Sequence, residues 1–228
     1  MRRYWRSSTA IVALILGLPA VADVPCAVAA PTGDEQAAYT RTIAERADKI
    51  VAPLSLEDAA RASRVRELIV AQYRRLREIH AARDARIAEA QSPGDPVVAE
   101  AWRSVARKDA DLKIFPLHRQ FVARLEAELT PEQVNQVKNG MTYGVVPLTF
   151  KRYRELLPNM TVEQQAVILA NLLEAREYAM DAGSSEEKHA WFGKYKGRIN
   201  NYLSAARYNM KQAEKDLAEK EKAAASPQ

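Results

Sequence analysis

The chain has little of the chemistry that cysteine and histidine supply. Cys26 is its one cysteine, so it can form no intramolecular disulfide and no cysteine metal site. The three histidines, His80, His118 and His189, show none of the H-x-x-H or H-E-x-x-H spacing that metal sites use. We read His80 as a satisfied histidine at the edge of the core. We therefore expect no metal site and no cofactor.

Sequence signatures of catalysis are also missing. No serine lies in a nucleophile elbow, and no glycine loop precedes a helix in P-loop form. No carboxylate falls on an apolar face, where burial would raise its pKa for acid–base work. These absences favour a protein that is not an enzyme. An unrecognised polysaccharide-active lyase or hydrolase remains an alternative.

A run of charge of one sign is absent as well. The 34 basic and 29 acidic residues are interleaved along the chain and give a net charge of +5. Removing residues 1–30 takes away three arginines and one aspartate, which leaves 31 basic and 28 acidic residues and a net charge of +3. Mixed charge is typical of solvated helical faces, whereas nucleic-acid binding needs a basic stripe. We expect no nucleic-acid partner.

Only the N-terminus carries a long apolar run. MRRYWRSS is basic, TAIVALILGL is apolar and short, and CAVAA offers the small residues that signal peptidase prefers. We predict a signal peptide over residues 1–30, cleaved after Ala29 or Ala30, with Ala22 as an alternative. The mature protein is then periplasmic or secreted, with no membrane insertion.

No convincing segment alternates in the manner of a strand, while helical periodicity covers most of the chain. We predict an all-α, single-domain bundle of about six to seven helices over residues 31–210, with one irregular loop that contains Gly and Pro. The first helices lie near 35–51 and 56–90, and a third runs to about 129, bent or restarted at Pro116. Residues 211–228 are predicted to be a charged, frayed helix end followed by disorder.

Two short segments, LTPEQVNQV (129–137) and MTVEQQAVI (160–168), predict helix starts. Each places a threonine three residues before a glutamine, which is the spacing of a capping box, and Pro131 suits a first helical position. The pair is also similar to the LTxxQ proteins, which are small helical periplasmic chaperones and stress sensors. That resemblance implies an interaction module with an exposed, concave apolar face.

The stretch NGMTYGVVPLTF (139–150) is the predicted irregular loop. Gly140 is expected to end a helix in a left-handed conformation, and Thr149 is expected to cap the next helix. Because the loop is apolar, it should pack against something. It is either a buried crossover or a pocket wall in which Tyr143 faces a ligand.

Arg176 falls within the apolar face of a helix predicted over about 162–181. Glu174, Glu177 and Asp181 fall on the opposite face and are expected in solvent. A buried guanidinium needs a carboxylate, backbone carbonyls or a ligand. Arg176 therefore forms either an internal ion pair or part of a site for carboxylates.

The stretch KHAWFGKYKGRINNYL (188–203) predicts a helix with two glycines on one face. On a helical wheel, one face forms the core and consists of Phe192, Tyr195, Ile199, Leu203 and Ala206. A second, polar face consists of His189, Gly193, Lys196, Gly197, Asn200 and Ser204. The glycines there allow close approach, either of another helix or of a ligand.

The turn before this helix, DAGSSEEK (181–188), connects it tightly to the helix that carries Arg176. Gly183 is placed as a C′ glycine in a left-handed conformation, and Ser184 as the next N-cap. Glu187 then completes an S-x-x-E capping box.

Two blocks, MTYGVVPLTFKRY (141–153) and EAREYAMDAGSSEEKHAWFGKYKGRINNYLSA (174–205), resemble the signature blocks of the bacterial domain of unknown function 3826 family. The likeness extends over roughly 46–211. It implies an exported bacterial protein that binds sugar and is associated with polysaccharide-degradation systems, including pectin-type systems. It implies no reaction and no catalytic residues.

The hypothesis is therefore carbohydrate binding, with an acidic plant-wall oligosaccharide as one candidate ligand. The predicted groove places Arg176, Lys194 and Lys196 against uronate carboxylates. The residues predicted to complete it are His189, Asn200 and Asn201 for hydroxyl groups, Trp191 or Tyr195 for stacking, Tyr143 in the loop, and Gly193 and Gly197 for close approach. The alternatives are an LTxxQ-like chaperone or interaction module and an unrecognised enzyme, and the sequence leaves the oligomeric state open.

Overall fold

The computed structural model describes residues 33–90 and 94–225, so the predicted signal peptide lies outside the described residues. The described chain is an all-α, single-domain bundle that contains no strand. Its eight α-helices are α1 (Gly33–Val51), α2 (Ala59–Glu89), α3 (Pro96–Glu128), α4 (Pro131–Met141), α5 (Val145–Leu156), α6 (Val162–Met180), α7 (Ser185–Ala205) and α8 (Met210–Ala225). A short 3-10 helix (Ala52–Leu54) follows α1. None of these helices is long and apolar enough to cross a membrane.

The helix starts follow from local hydrogen bonding. The predicted capping boxes are confirmed at Thr130 and Thr161, where each hydroxyl accepts from the backbone N–H of the glutamine three residues on. That glutamine side chain accepts from the backbone N–H of the threonine in return. The S-x-x-E box is only half formed. Ser184 caps α7 as predicted, but the Glu187 carboxylate accepts from the backbone N–H of Gly183.

Three predicted boundaries differ from the structure. Gly140 lies within α4, and the predicted irregular loop shrinks to residues 142–144, where Tyr143 and Gly144 both have positive φ. Thr149 lies inside α5 and does not cap it. Pro147 also lies inside α5, in its first turn, where proline is tolerated. Helix α3 continues across Pro116, and the charged C-terminal stretch forms α8, which brings the helix count to eight.

Gly183 has a different role from the one predicted. Gly144 is the only glycine with positive φ in the described chain, so Gly183 is no left-handed C′ residue. A Cβ at position 183 would lie 2.7 Å from Cγ of His80, which is shorter than real Cβ contacts allow. Glycine is needed there because α2 approaches the α6–α7 turn closely.

Two groups of buried apolar side chains hold the bundle together. The first comes from α1, α2, α4, the C-terminal half of α3 and Met180. The second comes from α5, α6 and α7, with partial cover from α8. Helix α6 contributes to both groups, and α7 packs along it in the second.

Candidate functional site

Helix α7 has the two faces that the sequence predicts. Phe192, Tyr195, Ile199 and Leu203 are buried, while the polar face is exposed. Ala206 is the exception to the predicted core face, because it is exposed at the C-cap of the helix. The local pattern therefore determines how α7 is oriented in the bundle.

The glycines of α7 lie on an open surface. A Cβ added at Gly193 or at Gly197 would have no heavy atom of another element within 4 Å. No helix of the described chain therefore packs closely against the two glycines, which was one of the two alternatives for this face. The face is free for a ligand or for solvent.

Replacing Gly193 or Gly197 with alanine should stabilise the protein. Each glycine costs an exposed helix about 1 kcal/mol relative to alanine, and neither new methyl group meets an obstacle. We expect each variant to raise the free energy of unfolding in urea by about 0.5–1 kcal/mol. Gly183→Ala is the matched control with the opposite sign, since its Cβ meets the His80 ring and should cost about 1–3 kcal/mol. A loss of stability at position 193 or 197 would contradict the open face.

Two contacts lie at the ends of the polar face of α7, which borders α5 and α8 near Asn200. At one end Tyr143 stacks on His189, with ring centroids 5.9 Å apart. At the other end Asn200 accepts a hydrogen bond of 2.8 Å from the Tyr153 hydroxyl, beside a cavity of 330 Å³ that Lys196 also lines. We call this cavity the α5–α7 groove. Of the predicted site residues, Lys196 and Asn200 line this cavity, while Tyr143 and His189 lie at the other end of the same face.

Arg176 lies elsewhere, in a buried polar network between α4 and α6. It is 4% exposed, and its guanidinium donates to the side-chain oxygens of Asn135 (2.9 Å) and Asn139 (3.0 Å) and to Glu177 (3.2 Å). Of the two alternatives for Arg176, the internal ion pair is the one that the structure contains. All of its contacts are made within the protein.

Glu177 and Asp181 were predicted to lie in solvent, and this is wrong. Glu177 accepts from Lys138 (2.7 Å) as well as Arg176, and Asp181 is 9% exposed, with Oδ2 2.6 Å from Nδ1 of His118. Burial raises the pKa of Glu177, but the hydrogen bonds from His118 and Lys138 outweigh it and bring the pKa to about 2. The hydrogen bonds to Asp181 and Glu177 raise the pKa of His118 to about 9. These groups form one charged network at the junction of α3, α4 and α6.

A second, larger cavity lies at the face of α7 that carries Trp191 and Lys194. It has a volume of 630 Å³ and lies between α2, α3, the end of α6 and the start of α7. Its wall holds Trp191 stacked on Tyr178, with ring centroids 4.5 Å apart and planes within 16°. The ammonium group of Lys194 lies 4.9 Å from the centre of the Trp191 ring. We call this cavity the Trp191 pocket.

The Trp191 pocket also carries charged side chains of both signs. Arg83 is held by Asp84 and Glu187 at 2.8 Å each, so its charge is already compensated. Arg107 makes one contact, with Glu100 at 3.1 Å, and its side chain is 54% exposed. Asp111 forms no ion pair with any described residue. Arg107, Lys194 and Asp111 are therefore the charged groups most available to a ligand.

Two buried acceptors lie at the base of the Trp191 pocket. The Nε2–H of His80 donates to the backbone oxygen of Asp181 at 2.7 Å, which leaves Nδ1 as an acceptor. Nδ1 of His80 and Oδ1 of Asp181 have no hydrogen-bond partner among the described residues. His80 is thus less fully satisfied than the sequence suggested, but both acceptor atoms are shielded from solvent and do not face the open cavity.

The structure does not bring the predicted site residues together in one place. Trp191 and Lys194 line the Trp191 pocket, whereas Lys196 and Asn200 line the α5–α7 groove. Arg176 lines neither cavity, and Asn201 is exposed outside both. Sequence reasoning missed the pocket residues Tyr178, His80, Arg83, Arg107 and Asp181, because their proximity depends on how α2, α3 and α6 cross α7. In the described ranges 33–90 and 94–225, no group of three potential metal ligands occurs.

A family model described as a protein of unknown function (DUF3826) matches residues 40–223. This range includes α7 and every residue that lines the Trp191 pocket and the α5–α7 groove. No curated protein matches the chain.

Proposed function

The chain belongs to the DUF3826 family of proteins of unknown function, and we propose that it binds carbohydrate in the Trp191 pocket. The observation that carries the proposal is the stacked Tyr178–Trp191 pair in the wall of the 630 Å³ cavity. Sugars present C–H faces to aromatic rings and hydroxyl groups to polar side chains. A partly exposed aromatic pair beside polar groups suits both.

The size and depth of the cavity support the proposal. At 630 Å³ it lies within the range of about 300–1,000 Å³ that small-molecule sites occupy. Tyr178 is 47% exposed although it packs on Trp191, so aromatic surface remains accessible there.

Acidic oligosaccharides are the favoured ligand class. Lys194 lies over the Trp191 ring, so a uronate stacked beside that ring would have its carboxylate close to an ammonium group. Arg107 provides a second cation at the opposite wall on α3, and its planar guanidinium suits a carboxylate. Export and a link to polysaccharide utilisation belong to the same proposal. They rest on the sequence of residues 1–30 and on the resemblance described above.

Replacing Trp191 with alanine should weaken saccharide binding. We expect titration calorimetry of the protein against plant-wall oligosaccharides, acidic and neutral, to give heat at millimolar concentrations or below. Loss of one stacking ring should weaken the affinity at least about tenfold, which is 1.4 kcal/mol. Trp102→Ala is the matched control, because Trp102 is 58% exposed on α3 and lines no cavity described above.

Further measurements separate this proposal from the alternatives. Tyr178→Ala is a second variant for the case in which Trp191→Ala unfolds, and thermal unfolding checks both. If no saccharide gives heat at millimolar concentration, carbohydrate binding is wrong. Suppression of a client's aggregation would then favour an LTxxQ-like chaperone, and new reducing ends or unsaturated products would reveal an enzyme.

A further inference from the structure

Helix α3 carries a stripe of exposed apolar side chains that the carbohydrate proposal does not use. Ten large hydrophobic residues are exposed in the described chain, and six of them lie between Val97 and Phe115 of this helix. They are exposed by 42% to 76% and are Val97, Val98, Trp102, Val105, Leu112 and Phe115. Such a contiguous patch marks an interaction surface more often than chance exposure of single residues.

The stripe has the spacing of a coiled-coil seam. Successive intervals of three and four residues connect Val98, Ala101, Val105, Lys108, Leu112 and Phe115, and all six are exposed. At 100° per residue this seam points away from Ala106 and Ala110, through which α3 packs on the bundle. The seam is therefore a second packing face of α3, with no helix against it in the described chain.

We propose that this face of α3 is the interface between two copies of the chain, packed antiparallel about a two-fold axis. In this arrangement Phe115 faces Val98 of the second copy, and Leu112 faces the small Ala101. Large side chains thus meet small ones in successive layers, as good packing requires. A parallel pair would set Phe115 against Phe115 and Lys108 against Lys108. A two-fold interface needs a self-complementary patch, and the antiparallel seam provides one.

The exposed area matches what a dimer needs. The six apolar side chains of the stripe, which include Val97 and Trp102 beside the seam, expose on the order of 700 Å² per copy. A standard interface buries about 800 Å² per partner. Trp102 flanks the seam on α3, and tryptophan is among the residues enriched at interface hot spots. A second copy therefore accounts for the whole length of the stripe.

Lys108 gives this interface a characteristic salt dependence. It is the one charged residue in the seam between Val98 and Phe115. In the antiparallel register it faces Val105 of the second copy, and the Lys108 of that copy lies in the adjacent layer, across the two-fold axis. The two ammonium groups repel each other, and salt screens that repulsion. The dimer should therefore strengthen as salt is added, and Lys108→Leu should strengthen it further.

The test is sedimentation velocity of the full protein over a concentration series. We expect a monomer–dimer equilibrium that Leu112→Glu weakens at least tenfold. Leu112 is 73% exposed, so the substitution should leave the fold intact, which circular dichroism checks. Leu148→Glu is the matched control, since Leu148 is 66% exposed on α5 and should leave the equilibrium unchanged.

Three outcomes overturn the proposal. A wild-type protein that stays monomeric at every concentration rules out a second copy as the occupant of the stripe. The stripe would then be covered by another protein or by residues 1–32. Equal effects of Leu112→Glu and Leu148→Glu would show that α3 is not the interface. A dimer that Lys108→Leu weakens would contradict the antiparallel seam.

Discussion

Replacing Arg176 with methionine should lower the free energy of unfolding by about 3 kcal/mol. The guanidinium is 4% exposed, and it satisfies Asn135, Asn139 and Glu177 at the contact between α4 and α6. Removing one partner of a buried ion pair costs about 3–5 kcal/mol, because the groups left behind stay buried without their partner. We expect the lower end of that range, since Glu177 keeps its contacts with Lys138 and His118. Urea unfolding measures the change.

Arg198→Met is the matched control for Arg176→Met. Arg198 lies on α7 and pairs with Glu174 at 3.5 Å, with both side chains half exposed. Surface pairs of this kind contribute less than about 1 kcal/mol, so the same substitution should change stability little there. Equal losses in the two variants would show that the Arg176 network does not stabilise the bundle. A selective loss of saccharide affinity in Arg176→Met would instead restore the hypothesis of a ligand-facing arginine.

Local sequence patterns predict the helices and their starts well. The boxes at Thr130 and Thr161 form because cap and glutamine are only three residues apart, so no tertiary contact is needed to bring them together. The buried face of α7 follows from helical periodicity, apart from the terminal Ala206. The charged C-terminal stretch forms α8 because its apolar residues Met210 and Ala213 pack on the second core group.

Contacts between helices are what the sequence could not supply. The helical wheel of α6 places Glu177 opposite the apolar face and so predicts that it lies in solvent. In the structure, however, α4 packs near that face, and its Lys138 donates to Glu177. Gly183 has the position of a C′ glycine, but the structure explains it by the nearby His80 ring, which is about a hundred residues away in the chain. Both errors arise because a helical wheel describes one helix and not its neighbours.

The same reason limits the prediction of the site. The sequence places most of the candidate site residues on α7 and predicts one groove for them. In the structure, Trp191 and Lys194 face one cavity, and Lys196 and Asn200 face another. The stacking of Tyr178 on Trp191 depends on the distance between α6 and α7, which no periodicity gives.

The free energy of unfolding should fall as the pH rises from about 6.5 towards 9, because of His118. Hydrogen bonds to Asp181 and Glu177 raise the pKa of this imidazole from 6.5 to about 9 in the folded protein. The folded state therefore binds more protons than the unfolded state in this window. The stabilisation is fully present below pH 6.5 and is lost as the pH passes through 9. The side chain is 20% exposed, so we expect a loss on the order of 1–2 kcal/mol, less than the whole shift would give.

The pH range of this measurement must exclude the opposite effect of Lys188. Burial lowers the pKa of this ammonium group from 10.5 to about 8, where it donates to the backbone oxygens of Ala179 and Met180. The unfolded state binds more protons between pH 8 and 10.5, so Lys188 makes stability rise with pH there. Urea unfolding at pH 6.5 to 8 therefore isolates His118.

His118→Gln tests the assignment of this pH dependence, and His189→Gln is its control. Glutamine cannot become charged, so the first variant should have a flat stability profile between pH 6.5 and 8. His189 is exposed on α7 and contacts the Ser185 backbone oxygen, and its replacement should leave the wild-type slope in place. An unchanged slope in His118→Gln would mean that another group titrates in this window. The pairing of His118 on α3 with Asp181 and Glu177 would then contribute no net stability near neutral pH. The charged network would then stabilise the bundle through the contacts of Arg176 and Lys138 between α4 and α6.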